Sequence, residues 1–448
     1  MKKHFSSYWI RSAFFTFLQR FSLTFFGFLN LMLLTRSLSI GGMGVWALFL
    51  TITGIFEMTK SSLLKNAHIK YVSSNDNVTE QTAIASSSFL INAAITGFFI
   101  LLVVFFSGWI SRWFRTGAEL RTMLYWFIPG MIFMVFFAHL EAVQQSFLDF
   151  KGGFAGYMVR QVTFFGIIFI HWLMKWPLTL AGLSMYQSIS IGLGTAFLYW
   201  HTRKYLHYRF NPEKRWIRSI MAYGGYIFGS GMIANISNNL DQLMIGRFID
   251  PGSVAYYNVA SRNNLLVDIP SYAASEILFP KASRASVEEG LHKVKYLYEK
   301  MVAVLLAFTV PTAILIIVFP HVFTYIVGGR AYSRAALILQ LYMITGIFRP
   351  AQNQAANLLN SIGKPRLVFI ANTIYLAGFL GINYLCLSAI GFYGAAVGTL
   401  ISSLLGFTGW YFIMKKQIGL DLSGIGRHTA DVYRLIYRKS RELLTRGA

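Results

Sequence analysis

Three runs of polar side chains stand inside otherwise apolar sequence. Asn235, Asn238, Asn239 and Gln242 are spaced i, i+3, i+4 and i+7, which puts them on one face of a helix. Arg349, Gln352, Asn353, Asn357 and Asn360 repeat with a similar period, and a third run holds Asn258, Arg262, Asn263 and Asn264. Amides and guanidinium groups are directional donors and acceptors, suited to sugar hydroxyls and phosphate oxygens. An apolar drug would call for more aromatic lining and fewer amides. Single amides often tie helices together, whereas a continuous polar face suggests contact with water.

The charged residues of the same segments fall into pairs. Glu141 and Arg160, and Asp241 and Arg262, lie at similar depth on successive apolar runs, and Arg20 and Glu57 could also meet between the first and second, so a structural ion pair and a ligand contact are both open for the three arginines. Arg349 has no carboxylate within its own hairpin and is the cation expected to meet an anionic ligand. Glu57, Glu141, Asp241, Asp268 and Glu276 are the carboxylates available to couple transport to a proton or sodium gradient, the first three being the candidates. Charge buried in a bilayer costs roughly 2.5–3.5 kcal/mol per residue, which is why such positions ask for a partner or a function. Paired carboxylates in one loop, a zinc-binding helix motif and a glycine-rich phosphate loop are absent, and there is one cysteine, Cys386. The expectation is no enzyme, no cofactor and no metal; His171 and His201 read as interfacial residues.

These side chains need helices long enough to cross a membrane. Of 448 residues 55% are hydrophobic and 13% charged, about half the usual charged share of a soluble domain. Apolar segments near 12–34, 43–64, 84–110, 122–146, 154–175, 178–200, 220–245, 254–279, 299–319, 335–359, 366–389 and 393–414 predict twelve spans, the second, seventh, eighth and tenth being the least apolar. The net charge of +23 is carried between the apolar runs, which argues against nucleic acid as a partner. With the N-terminus inside, cytoplasmic segments hold 27 basic residues and outside segments 8, so both termini are expected in the cytoplasm. The apolar stretch of the first 34 residues contains Arg20 and lacks a small-residue cleavage site, so it reads as the first span.

An internal repeat appears at an offset of 211 residues: Arg36 matches Arg247, Gly41 matches Gly252, and Gly152 matches Gly363. It predicts an all-α polytopic fold of two parallel-related six-helix bundles, 1–200 and 220–414, around a central hydrophilic cavity. A basic cytoplasmic linker at 201–219 joins them, and a basic tail at 415–448 is read either as an interfacial helix or as a frayed extension.

The stretch from Tyr223-Gly-Gly-Tyr-Ile-Phe-Gly-Ser through Asn239-Leu-Asp-Gln-Leu-Met-Ile-Gly-Arg, with Val254-Ala-Tyr-Tyr-Asn-Val-Ala and Ile277-Leu-Phe-Pro280, resembles the polysaccharide transporter family of O-antigen and exopolysaccharide flippases. Thr35-Arg-Ser-Leu with Gly44, and Leu359-Asn-Ser-Ile-Gly-Lys-Pro, resemble the family's turns after the first and tenth spans. The resemblance implies alternating access and a flippase for an undecaprenyl-pyrophosphate-linked oligosaccharide in a bacterial inner membrane. It also implies membrane lipids and glycan polymerases or glycosyltransferases as partners, and a cationic cavity to which Arg20, Arg262 and Arg349 would contribute. The alternatives are an ion-coupled multidrug extruder of the same superfamily and a polytopic glycan polymerase or ligase.

Overall fold

The computed structural model describes residues 2–147, 149–206 and 210–446; the side chains of Arg20 and Asn235 lie outside the described residues. Among the described residues the chain forms α-helices and short 3-10 turns, with no strand. The helices are α1 (Lys2–Ser37), α2 (Ile40–Ser73), α3 (Val78–Trp113), α4 (Glu119–Trp126), α5 (Ile128–Ser146), α6 (Lys151–Met174), α7 (Leu180–Thr202) and α8 (Lys214–Phe248). They continue with α9 (Pro251–Arg262), α10 (Leu265–Glu288), α11 (Leu291–Val318), α12 (Pro320–Gly328), α13 (Ala335–Ser361), α14 (Pro365–Ile390), α15 (Gly394–Ile418) and α16 (Leu422–Arg446). Side-chain caps set several starts: Ser39 accepts from Gly42 N at 3.1 Å, Asn77 from Thr79 N at 2.9 Å and Thr179 from Gly182 N at 3.1 Å.

The expected spans fall on α1, α2, α3, the pair α4–α5, α6, α7, α8, the pair α9–α10, α11, α13, α14 and α15. The fourth bends by 42° at Phe127, where Pro129 opens α5. The eighth breaks at Asn263 and Asn264, two of the polar residues singled out above. By length and apolarity alone five stretches among the described residues qualify as spans, Pro365–Ile418 counting as one, and α4–α5 makes six. Three of the four spans read as least apolar, α8, α9–α10 and α13, fall below that measure, while α2 passes it.

The solvent of the fold is legible in which face each helix hides. α3 buries Ser86, Ser87, Ser88, Asn92, Thr96 and Ser107 while exposing Phe98, Leu101, Phe105 and Trp109. α7 buries Ser184, Ser188, Ser190 and Thr195 and exposes Ile189, Leu193, Phe197 and Trp200. In water this inverted arrangement would be strongly unfavourable. In lipid it is the expected one, because small residues let backbones approach and apolar side chains face hydrocarbon. The chain is an all-α polytopic membrane protein.

The repeat is visible in helix boundaries. Ser37 and Phe248 end α1 and α8, and Ile40 and Pro251 begin α2 and α9, each pair 211 residues apart. The second match drifts: Gly152 lies inside α6, whereas Gly363 occupies the turn before α14 at φ 78°. Equivalent helices in the two halves differ in length, so a single offset does not persist.

The chain divides into two compact units, Met1–Ala255 and Tyr256–Ala448. In the first, α8 packs along α2, and the linker before it is pinned to α3. Asn211 N donates to Ser86 Oγ at 3.1 Å, Glu213 N to Ser87 Oγ at 2.9 Å, and Trp216 Nε1 to Glu80 Oε2 at 2.9 Å. Hydrogen bonds from Arg215 and Trp216 hold the Glu80 carboxyl below the usual carboxylate range. In the second unit the tail forms a helix, which removes the frayed-extension reading: α16 buries Ile425 and donates Tyr433 OH to Ala307 O of α11 at 3.0 Å.

Gly44 makes a sharp test of the first unit. A Cβ there would lie 1.7 Å from Pro251 O, so α2 can approach the start of α9 only through glycine. Gly44→Ala is expected to cut the abundance of folded protein several-fold, read by fluorescence-detected size exclusion, whereas Gly54→Ala, with nothing within 4 Å, leaves it unchanged.

Candidate functional site

In the first unit the polar chemistry gathers around Glu141 of α5, which is 4% exposed. Its Oε1 accepts from Lys65 Nζ of α2 at 3.0 Å, from Gln19 Nε2 of α1 at 3.2 Å and from Gln145 Nε2 at 3.2 Å. Its Oε2 accepts from Tyr157 OH of α6 at 3.3 Å. One carboxylate thus ties four helices. Helical periodicity alone does this, since α5 presents Glu141 and Gln145 on one face. One turn or more away, Lys60, 3% exposed, donates to Glu57 Oε1 and to Thr96 Oγ1 of α3, both at 3.2 Å.

These partners revise the expected pairs. Glu141 makes its direct ion pair with Lys65, while Arg160, whose Nη1 reaches Met134 Sδ at 3.5 Å, interacts with Glu141 and Glu57 electrostatically and not through a direct contact. Glu57 is neutralised by Lys60, three residues along its own helix; Arg20, its expected partner, has its side chain outside the described residues. The lysines were passed over because they sit near or beyond the apolar end of the second span. The i, i+3 spacing of Glu57 and Lys60 was the available signal.

The α8 stripe does not stay in one environment. Asn238 is exposed and Asn239 half-buried, whereas Asp241 and Gln242 are buried against α2. Thr51 Oγ1 donates to Gln242 Oε1 at 3.3 Å, and Gln242 N donates to Asp241 Oδ1 at 2.8 Å. Gln242 therefore joins helices, and Asn238 and Asn239 carry the accessible part of the stripe. Asn235 lies outside the described residues.

In the second unit Arg349 of α13 meets Asp268 of α10, Nη1 to Oδ2, at 2.9 Å. The absence of a carboxylate in its own hairpin was a correct reading of the sequence, but a neighbouring helix supplies one. The arginine side chain remains 29% exposed and Asp268 only 9%. Around the pair, Gln352 Nε2 donates to Ser403 O of α15 at 2.7 Å and Asn357 Nδ2 to Ser275 O of α10 at 3.1 Å. Gln354, outside the periodic stripe and fully buried, donates to Ser271 O at 2.8 Å and Ser275 Oγ at 2.9 Å. Asn353 and Asn360 are exposed. The stripe thus divides into joining amides and presenting amides, with Asn353 one turn beyond Arg349 on the same face. Asn258 is buried in α9, while Arg262, at the end of that helix, is half-buried and makes no ion pair within its unit among the described residues. Asp241 and Arg262 belong to different units.

Chemically, a guanidinium held in place by a buried carboxylate is pre-oriented to offer its planar fork to an oxyanion. Exposed amides beside it add donors and acceptors for hydroxyls. Both carboxylates of α2 and α5 already have ammonium partners, so neither is a bare acid.

A family model described as "Polysaccharide biosynthesis protein" matches residues 33–337. An "Uncharacterized membrane protein in cps region" of Klebsiella pneumoniae is 22% identical over 92% of this chain and 83% of its own length. The "Lipopolysaccharide biosynthesis protein WzxC" of Escherichia coli K12 is 22% identical over 54% of this chain and 49% of its own. Among solved structures, "Lipid II flippase MurJ, inward closed conformation" superposes with a TM-score of 0.77 at 16% identity, covering 95% of this chain and 92% of that one.

Proposed function

The chain belongs to the polysaccharide biosynthesis protein family, and from that premise we propose that it flips an undecaprenyl-pyrophosphate-linked oligosaccharide from the cytoplasmic to the periplasmic leaflet of a bacterial inner membrane by alternating access. The coarser statement is that it is a polytopic membrane protein of the polysaccharide biosynthesis family with the fold of the lipid II flippase. The observation that carries the finer reading is α13, where Arg349, fixed by Asp268, stands one turn from exposed Asn353. A fixed cation beside an amide matches a phosphate beside a sugar. In this reading Arg349 takes a phosphate oxygen and Asn353 meets hydroxyls, with Gln352 and Asn357 holding the helices that present them; in the first unit, taken by itself, Asn238 and Asn239 are the amides suited to hydroxyls and Gln242 joins helices. Arg20, Arg262, Asn235 and Asn258 complete the proposed set.

The basic bias supports a cytoplasmic position for both termini, and glycan polymerases or glycosyltransferases are the proposed partners. Glu57, Glu141 and Asp241 remain the proposed carboxylates for a proton or sodium gradient, with Lys60 and Lys65 setting the charge that the first two must exchange against.

The test is Asn353→Leu. Its amide is exposed, so the fold tolerates the change, and export is expected to fall at least about tenfold, the effect of losing roughly 1.4 kcal/mol of transition-state contact. The measurement is lipid-linked oligosaccharide accumulated on the cytoplasmic leaflet, normalised to transporter abundance. Export at the wild-type rate would remove the amide face from the transport path.

A further inference from the structure

A groove of about 580 Å³ lies in the first unit among α2, α3, α5 and α7, apart from the Glu141 network. It runs along α5 from Phe133 to Phe147 and along α7 from Gly192 towards Tyr205. At helical rise each edge is about 21 Å long, longer than the roughly 15 Å of one leaflet's hydrocarbon.

Aromatic side chains line it throughout, from Phe133 and Phe136 to Phe147 and Phe210 at the basic end, and His68, Gln81, Thr82 and Ser86 form a polar patch on the α2–α3 wall. Phe89 packs on Phe136 at 5.5 Å and edge-on to His139 at 5.1 Å. His68 is fully buried, edge-on to His139 at 5.5 Å, and neither of its ring nitrogens has a hydrogen-bond partner. A buried imidazole without a partner is costly, and a ligand's polar group would relieve that cost. Past the basic end, Arg203 stacks over Trp200 at 4.8 Å and Lys204 meets Asp149 at 3.3 Å, both cations being exposed.

We propose that this groove binds the polyprenyl phosphate portion of the lipid-linked substrate, with a phosphate beside His68 and the chain against Phe89, Phe133 and Phe136. The proposal rests on the flippase reading above and adds a site that the α13 cation does not provide. An amphiphile is specified by the polar patch around His68 on an otherwise apolar wall, and an anionic one by the exposed cations at its rim. A polyprenyl chain suits the aromatic lining, where its branched methyl groups meet ring faces along the whole length of the groove.

The experiment uses the full-length protein in nanodiscs of phosphatidylethanolamine and phosphatidylglycerol, with a diazirine-bearing polyprenyl phosphate as probe. After irradiation, adducts are expected on the peptides that contain Phe89 and Phe136. Excess unlabelled polyprenyl phosphate should compete them away and excess phosphatidylglycerol should not. Ala196 lines the groove with an exposed side chain, so Ala196→Trp fills the space from the lipid side. It is expected to lower adduct yield at least about fivefold with an unchanged melting temperature. Ala85→Phe fills the opposite wall and is expected to act in the same direction, which keeps the test intact if one variant folds poorly. His68→Phe should weaken capture of the phosphate probe more than that of the matching polyprenol. Adducts spread evenly over lipid-facing peptides, or equal competition by phosphatidylglycerol, would overturn the site. Wild-type export of glycan alongside such a result would leave the flippase reading standing, because the export assay does not depend on the probe.

Discussion

Replacing Arg349 by alanine is expected to abolish export and also to lower the amount of folded transporter, because the loss leaves Asp268, 6% exposed, without its cation. Breaking a buried ion pair from one side costs about 3–5 kcal/mol, a large share of a typical folding free energy. Two further variants separate position from charge. Asp268→Asn keeps a hydrogen-bond acceptor and removes the carboxylate, so abundance should recover substantially relative to Arg349→Ala. The exchanged pair, Asp268→Arg with Arg349→Asp, should restore abundance while export stays absent, because the guanidinium then stands on α10. Arg349→Lys keeps the charge and loses the fork, and intermediate export is expected. Abundance and lipid-linked glycan accumulation are measured on the same membranes. Full export by the exchanged pair would show that the ion pair serves structure alone.

The second large effect is expected at Glu141. Its removal as Glu141→Ala strands Lys65, Gln19, Gln145 and Tyr157 at once, and four helices lose their common acceptor. Lys65 is 30% exposed and its ammonium can still be partly solvated, so the cost lies in the four lost hydrogen bonds together, and folded protein should fall several-fold below wild type. Glu141→Gln retains an acceptor for the neutral donors and should lie between. Adding Lys65→Met to Glu141→Gln removes the stranded cation and should recover abundance above that of Glu141→Gln alone. The double substitution also decides function: a carboxylate that carries a proton or sodium ion cannot be replaced in this way. Recovered protein with no gradient-driven export would assign Glu141 to coupling, and recovered export would assign it to helix joining.

Much of the fold was legible because its signals are local. The apolar runs located the helices, the repeat put the α1–α2 and α8–α9 turns at equivalent places a few residues past the expected span ends, and the break at Asn263–Asn264 falls inside a span expected to be continuous. The site was legible in part. Periodicity grouped Arg349, Gln352, Asn353 and Asn357 correctly on α13, but it could not say which of them look outward and which are consumed by neighbours. Asp268 stands 81 residues before Arg349, and no spacing rule connects residues on different hairpins. Gln354 fell outside the stripe for the same reason: its purpose is set by Ser271 and Ser275 of another helix. Lys65 was hidden differently. Hydropathy treats a lysine as the end of a span, yet α2 continues to Ser73 and carries it against Glu141.

That pairing has a consequence for how the chain is made. α2 enters the membrane carrying Glu57, Lys60 and Lys65, and each charge opposes release from the insertion machinery by roughly 2.5–3.5 kcal/mol at the centre of a span, less near its ends. Lys60 finds Thr96 only when α3 has been synthesised, and Lys65 finds Glu141 only 76 residues after it leaves the ribosome. At about 5–20 residues per second the wait is roughly 4–15 s. Through that interval α2 is poorly soluble in lipid by itself, so the insertion site, or a chaperone beside it, has to retain the first two helices until α5 arrives. The first unit is therefore released into the bilayer as a group of helices and not one span at a time.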